Sequence, residues 1–459
     1  MHIRIEMPVF LILFLAPFGA QAQSGPNESG RGQAAAAKPA MRLSLKQAVE
    51  IALGPEGNAR VLLAQELIQQ AHSRASEARA ALLPNIESSV AQQSETRNLA
   101  AFGIRIQLPI PGFAFPSFVG PFTVFDARAT ANQTLFDMSS IKRFQASREG
   151  IGQAEAEKEA AQDQPREQVA RAYLGGLRAL AVVEAEEANV ALSEALLKLA
   201  SDQKTAGTAT GIEVTRARVQ LANEKQRLLV AQNELNRAHL QLLRAMALDL
   251  DVRVELTDRL SFIPIELLSP QQALETALQS RADWKVEQKR HEGLRLNASA
   301  TKSERLPSVN LFADYGAIGS SIDHALPTRT YGFSVRIPVF DGGRRDARRE
   351  EGYSQLKQEK IRIGDLHAQI ELEVRLALDS LNSSRAQVTA AEEGLSLSEN
   401  ELAQAERRYK AGVGSSIEVT DAQTRLERAR ENRIQALFNY NLARIDMNSA
   451  TGTIRQMVQ

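Results

Sequence analysis

The sequence predicts a mainly α-helical chain with four amphipathic β-strands, built as two copies of one unit. Three observations carry this. A glycine-containing hairpin stretch occurs twice, two helical runs of about seventy residues precede the two copies, and short alternating segments lie before each run.

The repeat comes first, because missed internal duplication misassigns the whole fold. Residues 204–222 read KTAGTATGIEVTRARVQLA and residues 409–427 read YKAGVGSSIEVTDAQTRLE. In each, a polar helical run ends on a glycine, Gly207 or Gly412, suited to the left-handed position after a helix. A new helix starts at Thr210 or Ser415, with Glu213 or Glu418 three residues on, the spacing of a capping box. The rest of the unit repeats in order. Leu135-Phe136-Asp137 and Val339-Phe340-Asp341 precede the long runs. Leu83-Pro84 and Leu306-Pro307 close earlier helices, and Ser44 to Gln47 and Ser269 to Gln272 are two more capping signals.

In chain order, residues 1–22 read as a secretory signal peptide. An n-region with His2 and Arg4 is followed by an apolar core too short to span a bilayer, then Ala20-Gln21-Ala22; a short membrane anchor is the alternative. Residues 23–41 lack apolar periodicity and read as a flexible linker. The first repeat covers 42–249: a helical stretch interrupted at Gly54-Pro55-Glu56-Gly57 and stopped by Pro84, strands within 84–136, a long helix over 138–206 with weak points at Pro165 and Gly175-Gly176, a hairpin at 207–211 and a helix over 211–247. Residues 250–268 join the halves as an irregular connector. The second repeat covers 269–459, with strands within 307–340, a long helix over 342–411, a hairpin at 412–416 and a helix over 417–450.

The strand assignment rests on period two. Phe125, Ala127, Ala129 and Ala131 alternate with Asp126, Arg128 and Thr130; Tyr331, Phe333, Val335 and Ile337 alternate with Gly332, Ser334 and Arg336. Such strands suit a membrane barrel, with the second apolar row facing lipid, or a sheet packed on a soluble core. Four strands are too few to close a membrane barrel, and open edges do not persist in lipid. If the strands are in a membrane, two chains would supply eight and three would supply twelve. The prolines of segment 102–121 argue against regular helix or central strand there. Its phenylalanines either pack on a barrel rim or plug its mouth.

Net charge is zero, with 55 basic and 55 acidic residues, so nothing favours nucleic acid as a partner. Cysteine is absent, which excludes disulfides and thiolate chemistry. The six histidines show no zinc-site spacing, and no phosphate loop or nucleophile elbow is present; no cofactor, metal or catalytic residue is expected, and the chain does not read as an enzyme.

The Leu-Pro breaks, the Gln133 to Asp137 and Ile337 to Gly343 junctions and the paired Ala-Gly…Ile-Glu-Val-Thr hairpins resemble TolC-type outer-membrane efflux channels over residues 42–452. The resemblance implies a homotrimer with a twelve-stranded barrel in outer-membrane lipid and an α-barrel tunnel across the periplasm. It implies a passive exit duct for a tripartite pump or type I secretion system, with a periplasmic adaptor and an inner-membrane transporter as partners. Gly207, Ala209, Gly211, Gly412 and Gly414 would then mark the hairpin tips that meet the adaptor. Glu418 and Asp421 match the family's carboxylate ring at the periplasmic entrance, and Tyr409 and Glu213 match a latch pair; Gly414 stands where the latch arginine is expected. Locally, Glu418 also fits its capping box and Asp421 an ion pair with Arg425. The competing reading is a secreted coiled-coil scaffold or adaptor with a small soluble sheet.

Overall fold

A computed structural model describes residues 41–54, 59–103, 117–265 and 268–457. The proposed signal peptide, the linker up to residue 40 and the centre of the apolar 102–121 segment lie outside the described residues.

The first repeat begins with β1 (Met41–Leu43), α1 (Leu45–Ala52) and α2 (Ala59–Ala80), followed by β2 (Asn85–Asn98) and β3 (Phe118–Phe136). The long α3 (Met138–Thr205) turns back into α4 (Gly211–Ala245). After β4 (Val254–Leu256) come α5 (Pro270–Ser280), α6 (Ala282–Ser303), β5 (Ser308–Gly319), β6 (Leu326–Arg336), α7 (Arg344–Lys410), α8 (Ser416–Ala450) and the short α9 (Ile454–Met457). At 68 and 67 residues, α3 and α7 are each about 100 Å long.

The capping signals at Ser44 and Ser269 form complete reciprocal boxes with Gln47 and Gln272. Asp137 caps α3 by accepting from the Ser139 N–H at 3.0 Å. Its counterpart Asp341 does not cap α7 in the same way. Gly342 and Gly343, with φ of 71° and 86°, lengthen that junction, and α7 starts at Arg344. The expected weak points of α3 do not break it: Pro165 and Gly176 are buried inside one continuous helix. Gly176 has a packing reason, since a Cβ there would sit 2.8 Å from the Leu256 side chain. The connector crosses the helix at that notch.

The four-stranded antiparallel sheet has the order β2-β3-β5-β6. Register puts Tyr331 opposite Ala313, Ala313 opposite Ala131 and Ala131 opposite Ile86, an apolar row across all four strands. Phe333 opposite Leu311 and Val335 opposite Val309 extend this face. On the other face, Arg128 sits between Asp126 and Asp314, with N–O distances of 2.8 and 3.4 Å. Two expectations need correction. Ile337 is not in the strand: β6 ends at Arg336, because Pro338 offers no donor to continue the ladder. The irregular segment is also shorter than expected, since β3 begins at Phe118 and contains Pro121. The register shifts opposite Glu95 and Arg97, and the proline is tolerated at that irregularity. Among the described residues the outer edges of β2 and β6 have no partner strand, so one chain leaves the sheet open.

α2, α4, α6 and α8 all pack on α3, and α7 packs on α6 and α8. Each half has its own core near mid-length. Val49, Tyr173, Leu242 and Met246 gather in the first; Ile370, Leu381, Leu437 and Tyr440 gather in the second. The connector ties both. The Tyr173 hydroxyl lies 2.7 Å from Asp258 and 3.0 Å from the Leu43 carbonyl, while Tyr440 donates to the Ile263 carbonyl at 2.9 Å. Burial and the Asp258 carboxylate raise the Tyr173 pKa, so this hydroxyl stays a donor. No described helix is long and apolar enough to cross a membrane.

Gly412 holds φ at 75°. Gly412→Ala is therefore expected to cost about 1–2 kcal/mol, seen as a lower thermal unfolding midpoint. Gly150→Ala, inside α3 with no atom near its added carbon, should instead stabilise by about 1 kcal/mol.

Candidate functional site at the hairpin end

Because α3 and α7 both start at the sheet, their far ends bring both hairpins to the same place. Each turn closes in the same way. Gly207 donates to the Lys204 carbonyl and Thr208 to that of Gln203; Gly412 donates to Tyr409 and Val413 to Arg408. These are paired 5→2 and 6→1 bonds around a left-handed residue, which only glycine adopts without strain. Around these turns Gly207 at one tip and Gly412 at the other are exposed, and Ala209 and Gly414 are half-buried.

Across the two tips, the buried Tyr409 hydroxyl donates to Glu213 Oε2 at 3.0 Å. Burial, this bond and the neighbouring carboxylate push Tyr409 up to about 12, so it remains a donor at ordinary pH. Gln203 Nε2 reaches the Tyr409 carbonyl at 3.4 Å. The pair links α7 to α4, and a cavity of about 30 Å³ lined by Ser193, Gln220 and Gln423 lies beside it.

The expected capping boxes at the tips are not completed. Thr210 makes no cap bond to backbone; its hydroxyl donates to Glu213 Oε1 at 3.3 Å instead. Ser415 does accept from the Glu418 N–H at 3.3 Å, yet the Glu418 carboxylate turns to Arg408 Nε at 3.4 Å. An arginine adds a full positive charge to its bond with a carboxylate, and Arg408 supplies this to Glu418, while Tyr409 and Thr210 take the Glu213 carboxylate. Asp421 does pair with Arg425 at 2.7 Å, and Arg425 also holds Glu401 at 2.7 Å. Glu418 and Asp421 are exposed. Gly414 has little room for a side chain: a Cβ there would sit 3.0 Å from both the Arg408 Cβ and Glu418 Oε2. Arg408, Gln203 and Glu401 are site residues that sequence reasoning missed, whereas the Asp421–Arg425 pair was expected from helical spacing. The Arg408–Glu418 pair spans ten positions across the turn, outside any helical spacing rule.

The remaining named residues lie at the opposite end of the chain. Tyr331, Phe333 and Val335 are exposed on the apolar sheet face, and Ile337 is exposed just beyond it.

With both ends described, comparison with known proteins decides the family. The outer membrane efflux protein family matches residues 56–248 and 273–453, well over half of the chain and in two parts that follow the repeat. The chain belongs to this family. It is an outer membrane efflux protein, and the family is one of channels rather than enzymes. Outer membrane protein TolC of Escherichia coli K12 is 24% identical over 142 residues, 31% of this chain and 29% of that protein. TolC of Vibrio cholerae is 23% identical over 336 residues, 71% of this chain and 76% of that protein. The crystal structure of the outer membrane protein VceC from Vibrio cholerae superposes with a TM-score of 0.71 at 18% identity, over 89% of this chain and 96% of that one. The efflux family match removes the secreted-scaffold alternative.

A double-mutant cycle of Tyr409→Phe and Glu213→Gln tests the cross-tip bond. Denaturant unfolding should show a coupling of about 1 kcal/mol; additive losses would mean that the bond adds nothing to stability.

Proposed function

We propose that this chain is the passive exit channel of a tripartite efflux pump or a type I secretion system, with three copies sharing one twelve-stranded barrel in the outer membrane. The observation that carries the reading is the common lateral order of the two layers. The sheet runs β2-β3-β5-β6, and the helices that adjoin it run α2, α3, α6 and α7 in the same order. Next to the sheet one side of the chain therefore ends in β2 and α2, the other in β6 and α7. Joining unlike sides repeatedly is a head-to-tail contact, which forms a ring when the rotation between copies closes. Exposed apolar side chains support this on both sides: Leu63 and Leu67 on α2 and Leu229 on α4, against Ile361, Leu372 and Leu376 on α7. The number three comes from the family resemblance.

In this arrangement the Tyr331, Phe333 and Val335 face meets lipid and the Arg128 face lines the lumen. The helices continue the barrel as a tunnel through the periplasm. The tips at Gly207, Ala209, Gly211, Gly412 and Gly414 meet a periplasmic adaptor that joins the duct to an energised inner-membrane transporter. Glu418, Asp421, Tyr409 and Glu213 form the entrance. Arg408 and Arg425 offset part of its charge, but Glu401 joins Glu213, Glu418 and Asp421 as a fourth carboxylate against these two arginines, so this group keeps two net negative charges in each copy.

Mass measurement of detergent-extracted protein should give a trimer; a stable monomer without detergent would sink the ring. Val335→Arg on the lipid face should cost about 2–4 kcal/mol and reduce assembled protein, while Thr130→Arg on the lumen face should assemble and change conductance. In planar bilayers the channel should be cation-selective, since charged rings select in this way. Asp421→Asn combined with Glu418→Gln should lower that selectivity; full retention would place the selective charge elsewhere.

A further inference from the structure

Well away from the tips, α4 reaches α8 across a seam beside α3. Gln220 Nε2, on α4, donates to Glu224 Oε1 at 2.6 Å and lies 3.4 Å from Glu427 Oε1 on α8. Arg227 Nη1 donates to Glu427 Oε2 at 2.8 Å and lies 3.4 Å from both Glu224 oxygens. The Glu224 side chain has no exposed surface and that of Glu427 has 7%. Glu186, on α3, adds a third carboxylate to the field at Glu224. Among the described residues, Arg227 is the one cation paired with either glutamate. Arg430 of α8 is committed to Asn189 of α3 at 2.6 Å, and α7 supplies neither glutamate with a hydrogen-bond or ion-pair partner.

Three carboxylates facing one guanidinium in a buried seam resist full ionisation. We propose that Glu224 and Glu427, with Arg227 beside them, form a proton-held tie that fastens α8 to the α3–α4 hairpin and loosens when both carboxylates ionise. Burial, then repulsion by Glu427, pushes Glu224 up to about 7, opposed in part by Arg227. Its folded value thus lies above that of a hydrated glutamate. The stabilising contribution is complete below the ordinary carboxylate range and is lost as pH rises through about 7. Parting α4 from α8 hydrates both acids and releases the proton, so rising pH favours separation. A groove of about 1070 Å³ lined by Glu186, Arg227 and Glu427 opens along the same seam and gives water a route to the pair.

The chain has no cysteine, so engineered cysteines are the only labelling sites. Gln226 of α4 and Arg428 of α8 both line the groove. Spin labels at Gln226→Cys and Arg428→Cys in the full, detergent-extracted protein, diluted with unlabelled chain, report the separation of α4 from α8. One short distance is expected at acidic pH. A longer population should grow with a midpoint near pH 7, its ratio to the short one changing about tenfold between about pH 6 and about pH 8 for one proton. Glu224→Gln and, independently, Glu427→Gln should each hold the short distance throughout, because either leaves a single carboxylate bonded to Arg227, which Glu186 reaches only through its field. A pH-independent distance in the parent protein overturns the tie. A pH response kept by whichever variants assemble also overturns it.

Discussion

The unpaired backbone along β2 and β6 is the constraint on which the rest depends. Each unsatisfied N–H or C=O facing hydrocarbon costs several kcal/mol. In the proposed ring, strands of neighbouring copies supply the partners that a four-strand sheet lacks. That requirement reaches far beyond the sheet, because α3 and α7 start where β3 and β6 end. If the helices took a different lateral order from the strands, edges that met in the sheet would pull unlike helices together. In the proposed ring the shared order lets one contact satisfy both layers.

Much of this was legible locally. Gly207 and Gly412 announce the hairpins because a left-handed residue is needed there and few others tolerate it. The strand faces were readable because alternation fixes which side chains share a surface, and the register places Ala127, Ala129 and Ala131 together. The boxes at Ser44 and Ser269 formed because glutamine has no better partner nearby. What failed did so for tertiary reasons. Glu213 and Glu418 sit in the same local pattern, but Tyr409 and Arg408 take their carboxylates. Pro165 and Gly175-Gly176 look like breaks, yet packing carries α3 through them, with Leu256 filling the notch over Gly176.

The buried acids were the least visible. Glu224 and Glu427 lie in helices rich in charge and look like solvated positions until α4 and α8 are brought together; Arg227 and Glu427 are 200 residues apart in sequence. A comparable pair occurs on α6 and α7, where Glu287 is raised by its hydrogen bond with Glu359, by burial and by repulsion. Helical periodicity identifies apolar stripes, but it carries no information about which charged side chain a second helix will cover.

The connector also has a mechanical consequence. It is fastened to both mid-length cores through Tyr173 and Tyr440 and crosses α3 at Gly176. About thirty residues of α3 extend from that crossing to the tip, an arm of about 45 Å. Held at one end, such an arm works as a lever: a turn of about 5° at the fulcrum sweeps the tip through about 4 Å. Angular changes too small to disturb close packing at the belt are thereby enlarged at the tips, where Tyr409 and Glu213 are joined by a bond of only 3.0 Å.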